Sequence, residues 1–373
     1  MPHRLLILHD SPDFGGHERM FLQLLPALLD DDRRFAVTVR FPAENQRFRA
    51  GLEPFDGALR LAELPFVKGR GEPYMRHLRW RYRDTVRRIV ADEGPDTVLL
   101  LQGRIENLAV PMSVIPRNVR LVSYLPMAHR LSEMGRAAIG DRFRRALYGR
   151  PDHFIVPSEA VAAQVKAAGG RAPVTVAHNV VAPPPRSSRA EARRMLDLPE
   201  TQRIALLPGR LENAQKGIDR LLAAIDRATP DSLGDWSFVF VGDGPARPQI
   251  EQHATRARGR FRIVPWTDRP DLFLSAADIL LMPSRWEGVP LTMLEAMRYG
   301  LPILASDIDV FRLYLPPSHI ADFDRIDLGE TLDRLVQPDM IECFACHAEA
   351  RVRPLTLESA RDRFRQALSQ EAG

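Results

Sequence analysis

The sequence predicts an α/β protein made of two doubly wound domains, each built around a parallel sheet. Its 373 residues are about twice the usual length of one domain, so two domains are the first expectation. Short apolar segments rich in β-branched residues alternate with longer segments of helical spacing along the whole chain. Three consecutive prolines at 183–185 interrupt this alternation near the middle of the chain.

The first half of the chain contains six segments that predict parallel strands. They are Arg4 to His9, Phe35 to Phe41, Thr97 to Gln102, Val119 to Leu125, Phe154 to Pro157 and Val174 to Ala177. The stretch from Glu18 to Leu29 has apolar residues at helical spacing and predicts a helix that covers the sheet. The run Leu5 to Leu8 ends at once in His9 and Asp10, which indicates a buried strand rather than a signal peptide.

The proline-rich segment Asn179 to Arg186 predicts the linker between the domains, because three prolines cannot continue a helix or a central strand. After it, five further segments predict a second sheet. They are Ile204 to Leu207, Phe238 to Val241, Phe261 to Val264, Ile279 to Met282 and Ile303 to Ala305. We therefore expect two Rossmann-like domains, at 1–180 and 181–354, followed by a segment at 355–373. Ligands of such folds bind in the loops that follow the strand ends, so we expect the site in a cleft lined by those loops.

Composition excludes several classes of protein. Hydrophobic residues make up 45% and charged residues 27% of the chain, which is typical of a globular protein and not of a disordered one. No apolar run approaches the roughly 18 residues that a membrane-spanning helix needs. Two cysteines in a chain of this length fit a reducing compartment, so we expect a cytoplasmic protein.

The positive charge of the chain is concentrated in its first half. Residues 1–180 contain 27 Lys+Arg against 20 Asp+Glu, although the net charge of the whole chain is only +4. The densest basic stretch, Arg76 to Arg88, interleaves Trp80 and Tyr82 with arginines, a composition suited to phosphates or to an anionic membrane surface. The other interpretation is the solvated face of a helix.

Both cysteines lie in the segment Cys343-Phe-Ala-Cys346-His347, which matches the haem-attachment pattern C-x-x-C-H. We reject haem, because covalent attachment needs an exported chain and no export signal is present. A zinc site would need further ligands, and no second Cys/His cluster occurs. A cysteine pair on a surface helix remains as the interpretation, with a redox role as the alternative.

The first predicted strand is followed by paired glycines, Gly15 and Gly16, just before a helix. Glycines at this position let backbone N–H groups approach an anion at the positive end of the helix. A simple tight turn is the rival interpretation, because two adjacent glycines without the G-x-G-x-x-G pattern are a weak signal.

The first strand of the second half leads into Gly209-Arg210-Leu211 and then Lys216-Gly217 at the start of the next helix. An arginine and a lysine delivered by one strand end make a pocket for a diphosphate, with the arginine as a bidentate fork and the lysine as a point charge. Lys216 is one of only three lysines in the chain. The alternative for Lys216 is a surface ion pair with Glu212.

The most specific stretch follows the segment Ile279 to Met282 and contains two carboxylates, Glu287 and Glu295. Glycine and proline predict a loop around Glu287, and Leu291 to Tyr299 predicts a helix that carries Glu295 about one turn inside. Loop N–H groups and a helix N-terminus can meet phosphate oxygens, while carboxylates accept hydrogen bonds from sugar hydroxyls. The stretch therefore indicates a site for a sugar nucleotide.

These elements together resemble retaining glycosyltransferase family 4, of the GT-B fold. The resemblance rests on Glu287 and Glu295 as a Glu-x7-Glu element, on Arg210 and Lys216 upstream, and on the early glycine loop. It is strongest over 204–306 and is general in architecture elsewhere. It implies an N-terminal acceptor-binding domain, a C-terminal domain that binds the nucleotide sugar, and a last helix, Thr356 to Ala372, that packs back on the first domain.

The resemblance also implies a role for individual residues. Arg210 and Lys216 would bind the diphosphate, Glu287 the donor sugar, and Glu295 the ribose hydroxyls. The remaining implied contacts are backbone groups of Gly288, Val289, Pro290 and Leu291, a base site near Val264 and Trp266, the phosphate-approaching loop of Gly15 and Gly16, and His129 as a donor-sugar histidine. We count Glu287, His129, Arg210 and Lys216 as the catalytic set. Side chains do not specify whether the nucleotide of the donor is UDP or GDP.

The chain departs from the family pattern in two places. The interval from Arg210 to Lys216 is one residue longer than the commonest spacing, and Asn179 is followed by Val180 where a glycine often stands. No Asp-x-Asp pattern of the metal-dependent kind follows a strand, and the arginine and lysine can neutralise the leaving diphosphate. We therefore expect no cofactor and transfer without a metal.

The function expected from the sequence is transfer of a sugar from a nucleoside-diphosphate sugar to an acceptor hydroxyl, in the synthesis of a cell-surface polysaccharide, glycolipid or glycoconjugate. Partners would be the donor, a carbohydrate, lipid-linked or small-molecule acceptor, and an anionic membrane touched through Arg76 to Arg88, with no nucleic acid. The alternatives are a nucleotide-sugar epimerase of the same architecture and an anionic-surface-binding module that uses the basic first half.

Overall fold

The computed structural model describes residues 2–29, 34–69, 78–135, 139–182, 187–229, 231–256 and 259–369. The chain forms two compact units, the first made of Met1–Val180 with Leu355–Gly373 and the second of Val181–Pro354. Each unit contains one sheet, of seven strands in the first and six in the second, and all neighbouring strands within each sheet are parallel. The predicted α/β class with two Rossmann-like sheets is confirmed.

The sheet of the first unit has the strand order β3-β2-β1-β4-β5-β6-β7. Its strands are β1 His3–Leu8, β2 Phe35–Phe41, β3 Arg60–Glu63, β4 Thr97–Leu101, β5 Arg120–Tyr124, β6 His153–Val156 and β7 Val174–Val176. Its helices are α1 Gly16–Leu24, α2 Gln46–Leu52, α3 Trp80–Glu93, α4 Ala109–Val114, α5 Ile139–Tyr148 and α6 Glu159–Ala167. The chain builds the sheet outward from β1 in one direction and then from β4 in the other. This reversal makes the gap between β1 and β4 the topological switch point.

The second unit repeats this order as β10-β9-β8-β11-β12-β13. Its strands are β8 Arg203–Pro208, β9 Trp236–Val241, β10 Phe261–Val264, β11 Ile279–Met282, β12 Ile303–Ser306 and β13 Ile320–Ala321. Its helices are α7 Arg189–Met195, α8 Ile218–Arg227, α9 Arg247–Arg256, α10 Pro270–Ala276, α11 Leu291–Arg298, α12 Asp309–Tyr314, α13 Leu328–Leu335 and α14 Pro338–Val352. The switch point of this sheet lies between β8 and β11.

Three secondary-structure expectations need correction. The helix expected from Glu18 to Leu29 ends at Leu24 and continues as a 3₁₀ turn over Leu25–Leu28. Pro26 explains this change, because a proline has no N–H for the helical ladder. The short strands β3 and β13 are absent from the sequence prediction. Strand β3 lies at the sheet edge with no buried residue and lacks a regular alternation of apolar and polar residues, and β13 has only two residues.

Within the basic stretch Arg76 to Arg88, Arg76 and His77 lie outside the described residues, Leu78 and Arg79 precede α3, and the residues from Trp80 form the start of this helix. Tyr82 is buried and packs on Phe66, with 4.7 Å between ring centroids. Trp80 is 59% exposed, and the guanidinium of Arg81 lies over its ring. The helix thus has one face in the core and one solvated basic face. No helix among the described residues is both long and apolar enough to cross a membrane.

The last helix, α15 (Leu357–Ser369), belongs to the first unit. Phe364 packs between the rings of Phe21 and Tyr124, at centroid distances of 6.4 Å and 5.7 Å. The buried guanidinium of Arg120, at the start of β5, donates hydrogen bonds to the carbonyls of Ala367 at 2.7 Å and Leu368 at 3.2 Å. These carbonyls lie in the last turn of the helix, where no intrahelical donor reaches them. Arg120 therefore caps α15 from the sheet.

Both cysteines lie on α14, are exposed and are not joined in a disulfide. His347, the histidine of the C-x-x-C-H segment, donates from Nε2 to the carbonyl of Tyr314 at 2.9 Å and so has a structural hydrogen bond. Among the described residues, no group of three or more His, Cys, Asp or Glu side chains is arranged to hold a metal ion. The structure thus agrees with a cysteine pair on a surface helix.

We predict that Arg120→Ala lowers the melting temperature of the protein by about 4–8 °C, which corresponds to about 2 kcal/mol of lost stability. The reason is that two helix carbonyls lose their charged donor. Differential scanning calorimetry measures the change. Arg117→Ala, an exposed arginine just before the same strand, is the matched control and should leave the melting temperature within about 1 °C of wild type. Equal melting temperatures for the two variants would contradict the capping role.

Candidate functional site

The expected site residues of the second unit follow strands β8, β10 and β11. Because all strands of this sheet are parallel, their carboxyl ends meet at one edge. Backbone hydrogen bonds join the loops there: the N–H of Gly209 donates to Val241 O at 2.8 Å, and the N–H of Gly242 donates to Val264 O at 2.9 Å. The edge includes the switch point between β8 and β11, where folds of this kind bind ligands.

Glycines let these loops approach one another more closely than side chains would allow. Gly217, at the start of α8, has φ +64°, and a Cβ there would lie 2.1 Å from the carbonyl oxygen of Pro283. Gly242 has φ +139°, and its Cβ would lie 2.0 Å from the carbonyl oxygen of Gly209. Both positions therefore require glycine for conformation and for space. The loop after β8 is packed directly against the loop after β11.

Lys216 and Glu287, two of the expected site residues, form an ion pair at this edge. The Nζ of Lys216 donates to Oε1 of Glu287 at 2.5 Å. Lys216 comes from the loop after β8 and Glu287 from the loop after β11, so the pair spans the switch point. The side chain of Glu287 is 5% exposed and that of Lys216 is 24% exposed. Glu212, the alternative partner of Lys216, pairs instead with Arg210 at 3.6 Å.

Two neutral side chains also donate to the carboxylate of Glu287. The hydroxyl of Ser284 donates to Oε1 at 2.9 Å, and the amide Nε2 of Gln215 donates to Oε2 at 3.2 Å. Ser284 is buried and precedes Glu287 in its own loop, whereas Gln215 precedes Lys216 in the other loop. The charge of this buried carboxylate is therefore stabilised by Lys216 and by hydrogen bonds from these two neutral side chains.

Arg285 clamps the two loops together. Its guanidinium donates to both carboxylate oxygens of Asp219 at 2.7 Å and to the carbonyl of Asn213 at 2.6 Å. Its backbone N–H donates to the carbonyl of Gln215 at 2.8 Å. Burial opposes the charge of Asp219, but the hydrogen bonds and charge of Arg285 outweigh it and hold the pKa of this carboxyl below its usual value. The clamp sets where Lys216 stands relative to Glu287.

The other expected donor residues of this unit lie at the same edge of the sheet. The side chain of Arg210 is 64% exposed. Glu295 is half-buried in the second turn of α11. The backbone N–H of Trp266 donates to the Asp243 carboxylate at 3.2 Å, and the Trp266 side chain is half exposed. Val264 ends β10, Gly288 and Val289 are buried in the loop before α11, Pro290 caps this helix and Leu291 begins it.

In the first unit, Gly15 and Gly16 lie at the N-terminus of α1. Gly15 is in an extended conformation with φ −149°, and neither glycine has a positive φ. The N–H of Gly15 donates to Oε2 of Glu18 at 2.9 Å, and a Cβ on Gly15 would make only ordinary contact. The backbone conformation of this turn does not require glycine, and the approach of Gly15 and Gly16 to a ligand stays a prediction.

His129 lies in the loop after β5 and is buried. The amide of Gln164 is oriented by the N–H of Ala128, which donates to its Oε1 at 2.9 Å. Nε2 of Gln164 therefore faces Nε2 of His129, at 3.4 Å, so that the ring nitrogen accepts. Nδ1 of His129 stands 3.8 Å from the carboxylate of Glu133. The ring is oriented from both sides.

A buried polar network at the switch point of the first unit was missed by sequence reasoning. Nδ1 of His9 donates to Leu101 O at 3.2 Å, and its Nε2 stands 3.6 Å from Oε1 of Glu18. The amide of Asn45 donates to the carbonyls of Ser11 and Asp13, at 3.0 Å and 2.9 Å. The only sequence signal was that His9 ends an apolar run. The partners of His9 are brought to it by the fold, and no spacing of residues in the sequence indicates them.

Comparison with known families matches both halves of the chain. A family model described as Glycosyltransferase Family 4 matches residues 14–183, and one described as Glycosyl transferases group 1 matches residues 202–318. The chain belongs to glycosyltransferase family 4. The family inferred from the Glu-x7-Glu element and the upstream basic residues is confirmed, while the retaining mechanism and the individual site residues stay predictions.

Relatives of this family 4 protein are known from bacteria. TuaC of Bacillus subtilis (strain 168), named for teichuronic acid biosynthesis, is 38% identical over 122 residues, or 32% of this chain and 29% of TuaC. The O-antigen biosynthesis glycosyltransferase WclY of Escherichia coli is 36% identical over 81 residues, or 20% of this chain and 22% of WclY. The matched segments span less than a third of either relative.

The fold of the family 4 protein matches solved structures over nearly its full length. HepE of Anabaena, in complex with UDP and glucose, has a TM-score of 0.75 at 18% identity, with 98% of this chain and 99% of HepE covered. At this identity the likeness concerns the fold. The predicted GT-B fold is confirmed.

We predict that Gly217→Ala destabilises the glycosyltransferase far more than Gly259→Ala. Both positions have a positive φ, of +64° and +80°, but no atom lies within 4 Å of a Cβ at Gly259. Gly259→Ala should therefore cost only the backbone strain, about 1–2 kcal/mol, whereas Gly217→Ala must also separate the loops after β8 and β11. Thermal denaturation measures both. Equal losses would show that the close contact with Pro283 is unimportant.

We also predict that stability falls as the pH is lowered from about 6.5 to about 4. Burial lowers the pKa of His9 to about 4 from 6.5, so the unfolded chain binds a proton that the folded protein excludes in this range. The contribution of His9 is fully present above pH 6.5, and about 2 kcal/mol of it should be lost by pH 5. Denaturant unfolding at pH 7 and pH 5 measures the loss. His9→Gln should reduce the difference between the two pH values, and an unchanged difference would contradict the assignment.

Proposed function

We propose that the glycosyltransferase binds a nucleoside-diphosphate sugar at the switch point of its second unit and transfers the sugar to an acceptor hydroxyl with retention, without a metal ion. The observation that carries the proposal is the ion pair of Lys216 and Glu287, held at 2.5 Å across the switch point. It places a cation suited to a diphosphate beside a carboxylate suited to sugar hydroxyls.

The surrounding groups support the donor side of this proposal. Glu295, on the helix that follows the loop, would accept hydrogen bonds from the ribose hydroxyls, and the backbone of Gly288 to Leu291 would contact sugar and phosphate. Arg210 has a mostly exposed side chain on the same loop as Lys216 and would add a second positive charge. The base would lie near Val264 and Trp266, where the indole is half exposed.

In the proposed reaction the acceptor oxygen forms a bond to the anomeric carbon on the face from which the nucleoside diphosphate departs. The bond between that carbon and the phosphate oxygen breaks, and the proton of the acceptor hydroxyl passes to the departing phosphate. Lys216 and Arg210 stabilise the negative charge that develops on the leaving group, which is the role a divalent ion has in other enzymes. Gly15, Gly16 and His129 stay predictions for the donor contacts of the first unit.

The names of the relatives support a class of product. Curated relatives are named for teichuronic acid biosynthesis, for O-antigen biosynthesis and for lipopolysaccharide core biosynthesis. We propose that this chain likewise extends a cell-surface polysaccharide or a lipid-linked glycan. Its two free, exposed cysteines fit the cytoplasm. Contact of the basic face of α3 with an anionic membrane stays a prediction, which co-sedimentation with phosphatidylglycerol vesicles tests.

We predict that Lys216→Ala and Glu287→Ala each lower kcat/KM by about 100-fold, because each removes a charged contact to the donor. A thermal-shift screen of UDP-, GDP- and ADP-sugars first identifies the donor, since a ligand of the folded state raises the melting temperature. Release of the nucleoside diphosphate in the presence of glycan and lipid-linked acceptors then measures turnover.

Lys166→Ala is the matched control, because this exposed lysine lies in the last turn of α6 in the first unit. It should keep wild-type turnover. Near wild-type activity of both site variants would overturn the site assignment. Isomerisation of the nucleotide sugar without any acceptor would favour the epimerase alternative.

A further inference from the structure

The proposed function leaves two of the groups around Glu287 without a role. Lys216, Ser284 and Gln215 all donate to its carboxylate, but only Lys216 has a part in binding the diphosphate. In the proposed reaction Lys216 binds the phosphate, so Glu287 loses the contact with Lys216 at the moment when it must hold the donor sugar. A buried carboxylate is stable only when its hydrogen bonds are satisfied.

Ser284 and Gln215 are fixed independently of Lys216. Ser284 is 2% exposed and follows Pro283, whose carbonyl oxygen is packed against Gly217. The carbonyl of Gln215 accepts from the backbone N–H of Arg285 at 2.8 Å, so its backbone is tied to the loop that carries Glu287. Besides Lys216, which donates to Oε1, Ser284 reaches Oε1 and Gln215 reaches Oε2. Together Ser284 and Gln215 define both the position of the carboxylate and its rotation.

We propose that Ser284 and Gln215 are positioning residues that hold Glu287 on the donor sugar while Lys216 binds the diphosphate. The inference rests on the proposed function and extends it, because it assigns the sugar contact and the diphosphate contact to separate supports. Affinity for the nucleoside diphosphate then depends on Lys216. The additional effect of the sugar on affinity depends on Ser284 and Gln215 acting through Glu287.

A role in loop structure alone gives a different result. If Ser284 and Gln215 only kept the loops folded, their loss would displace Lys216 as well, and affinities for the nucleoside diphosphate and for the nucleotide sugar would fall together. The ratio of the two dissociation constants therefore separates positioning of Glu287 from general support of the site.

The experiment measures this ratio by titration calorimetry with UDP and UDP-glucose and with GDP and GDP-mannose, using whichever pair the wild-type protein binds. In Ser284→Ala and Gln215→Leu we expect the dissociation constant of the nucleoside diphosphate to stay within about three-fold of wild type. The ratio should change by about ten-fold or more, the effect of losing one hydrogen bond to a charged group. Ser284→Thr keeps the hydroxyl and should restore the wild-type ratio.

Matched controls come from the same unit. Ser237→Ala removes a buried hydroxyl near the start of β9, at the opposite edge of the sheet, and Gln337→Leu removes an exposed amide just before α14. Both should keep the wild-type ratio. An unchanged ratio in Ser284→Ala and Gln215→Leu, or a parallel loss of both affinities, would overturn the inference. Failure of the wild-type protein to bind any nucleotide or nucleotide sugar would instead overturn the proposed function. If one variant does not fold, the other carries the test.

Discussion

The arrangement of the candidate site depends on one constraint, which is that every strand of the second sheet runs in the same direction. Parallel pairing brings the loops after β8 and β11 to a single edge, and the reversal of strand order opens a gap between them. Lys216 and Glu287, 71 residues apart in the chain, meet there at 2.5 Å. A lysine and a carboxylate on one surface helix could form a similar pair. The switch point combines such a pair with the loop before α11 and the N-terminus of that helix.

Burial gives the ion pair of Lys216 and Glu287 more influence on the site than a solvated ion pair would have. A solvated ion pair contributes little, but the side chain of Glu287 is 5% exposed and its carboxylate needs donors on both oxygens. Ser284 and Gln215 supply them, and the clamp between Arg285 and Asp219 keeps the two loops in register. The same principle recurs at the switch point of the first unit, where the buried ring of His9 donates to a carbonyl of β4 and the buried amide of Asn45 donates to carbonyls of the loop after β1. In both units, polar groups at the ends of β1 and β8 are held by contacts from distant parts of the chain.

Much of the fold could be predicted because periodicity is a local property. The strands at Phe35–Phe41, Phe261–Val264 and Ile279–Met282 have the expected ends, since each is a short segment dominated by apolar residues. Prediction failed where tertiary context decides, as at β3, and also at Pro26, a local signal that ends α1 early. Strand β3 is an edge strand without a buried face, and α1 ends early because Pro26 cannot join the helical ladder.

In the site, Lys216 and Glu287 were expected from residue type and motif, but the partner of Lys216 was open between Glu212 and a ligand. Gln215, Arg285 and Asp219 carry no sequence signal of their own, because hydrogen bonding between loops has no period.

The sequence by itself determined the α/β class and the family. Alternating apolar runs, three prolines and the spacing of Glu287 and Glu295 are sufficient for these, since they depend on neighbouring residues. Tertiary structure alone decided which charges meet. It paired Glu287 with Lys216, left Glu212 to Arg210, and placed Arg120 under the last turn of α15. The physical reason is that a hydrogen bond between distant segments depends on the packing of both, and neither segment encodes the position of the other.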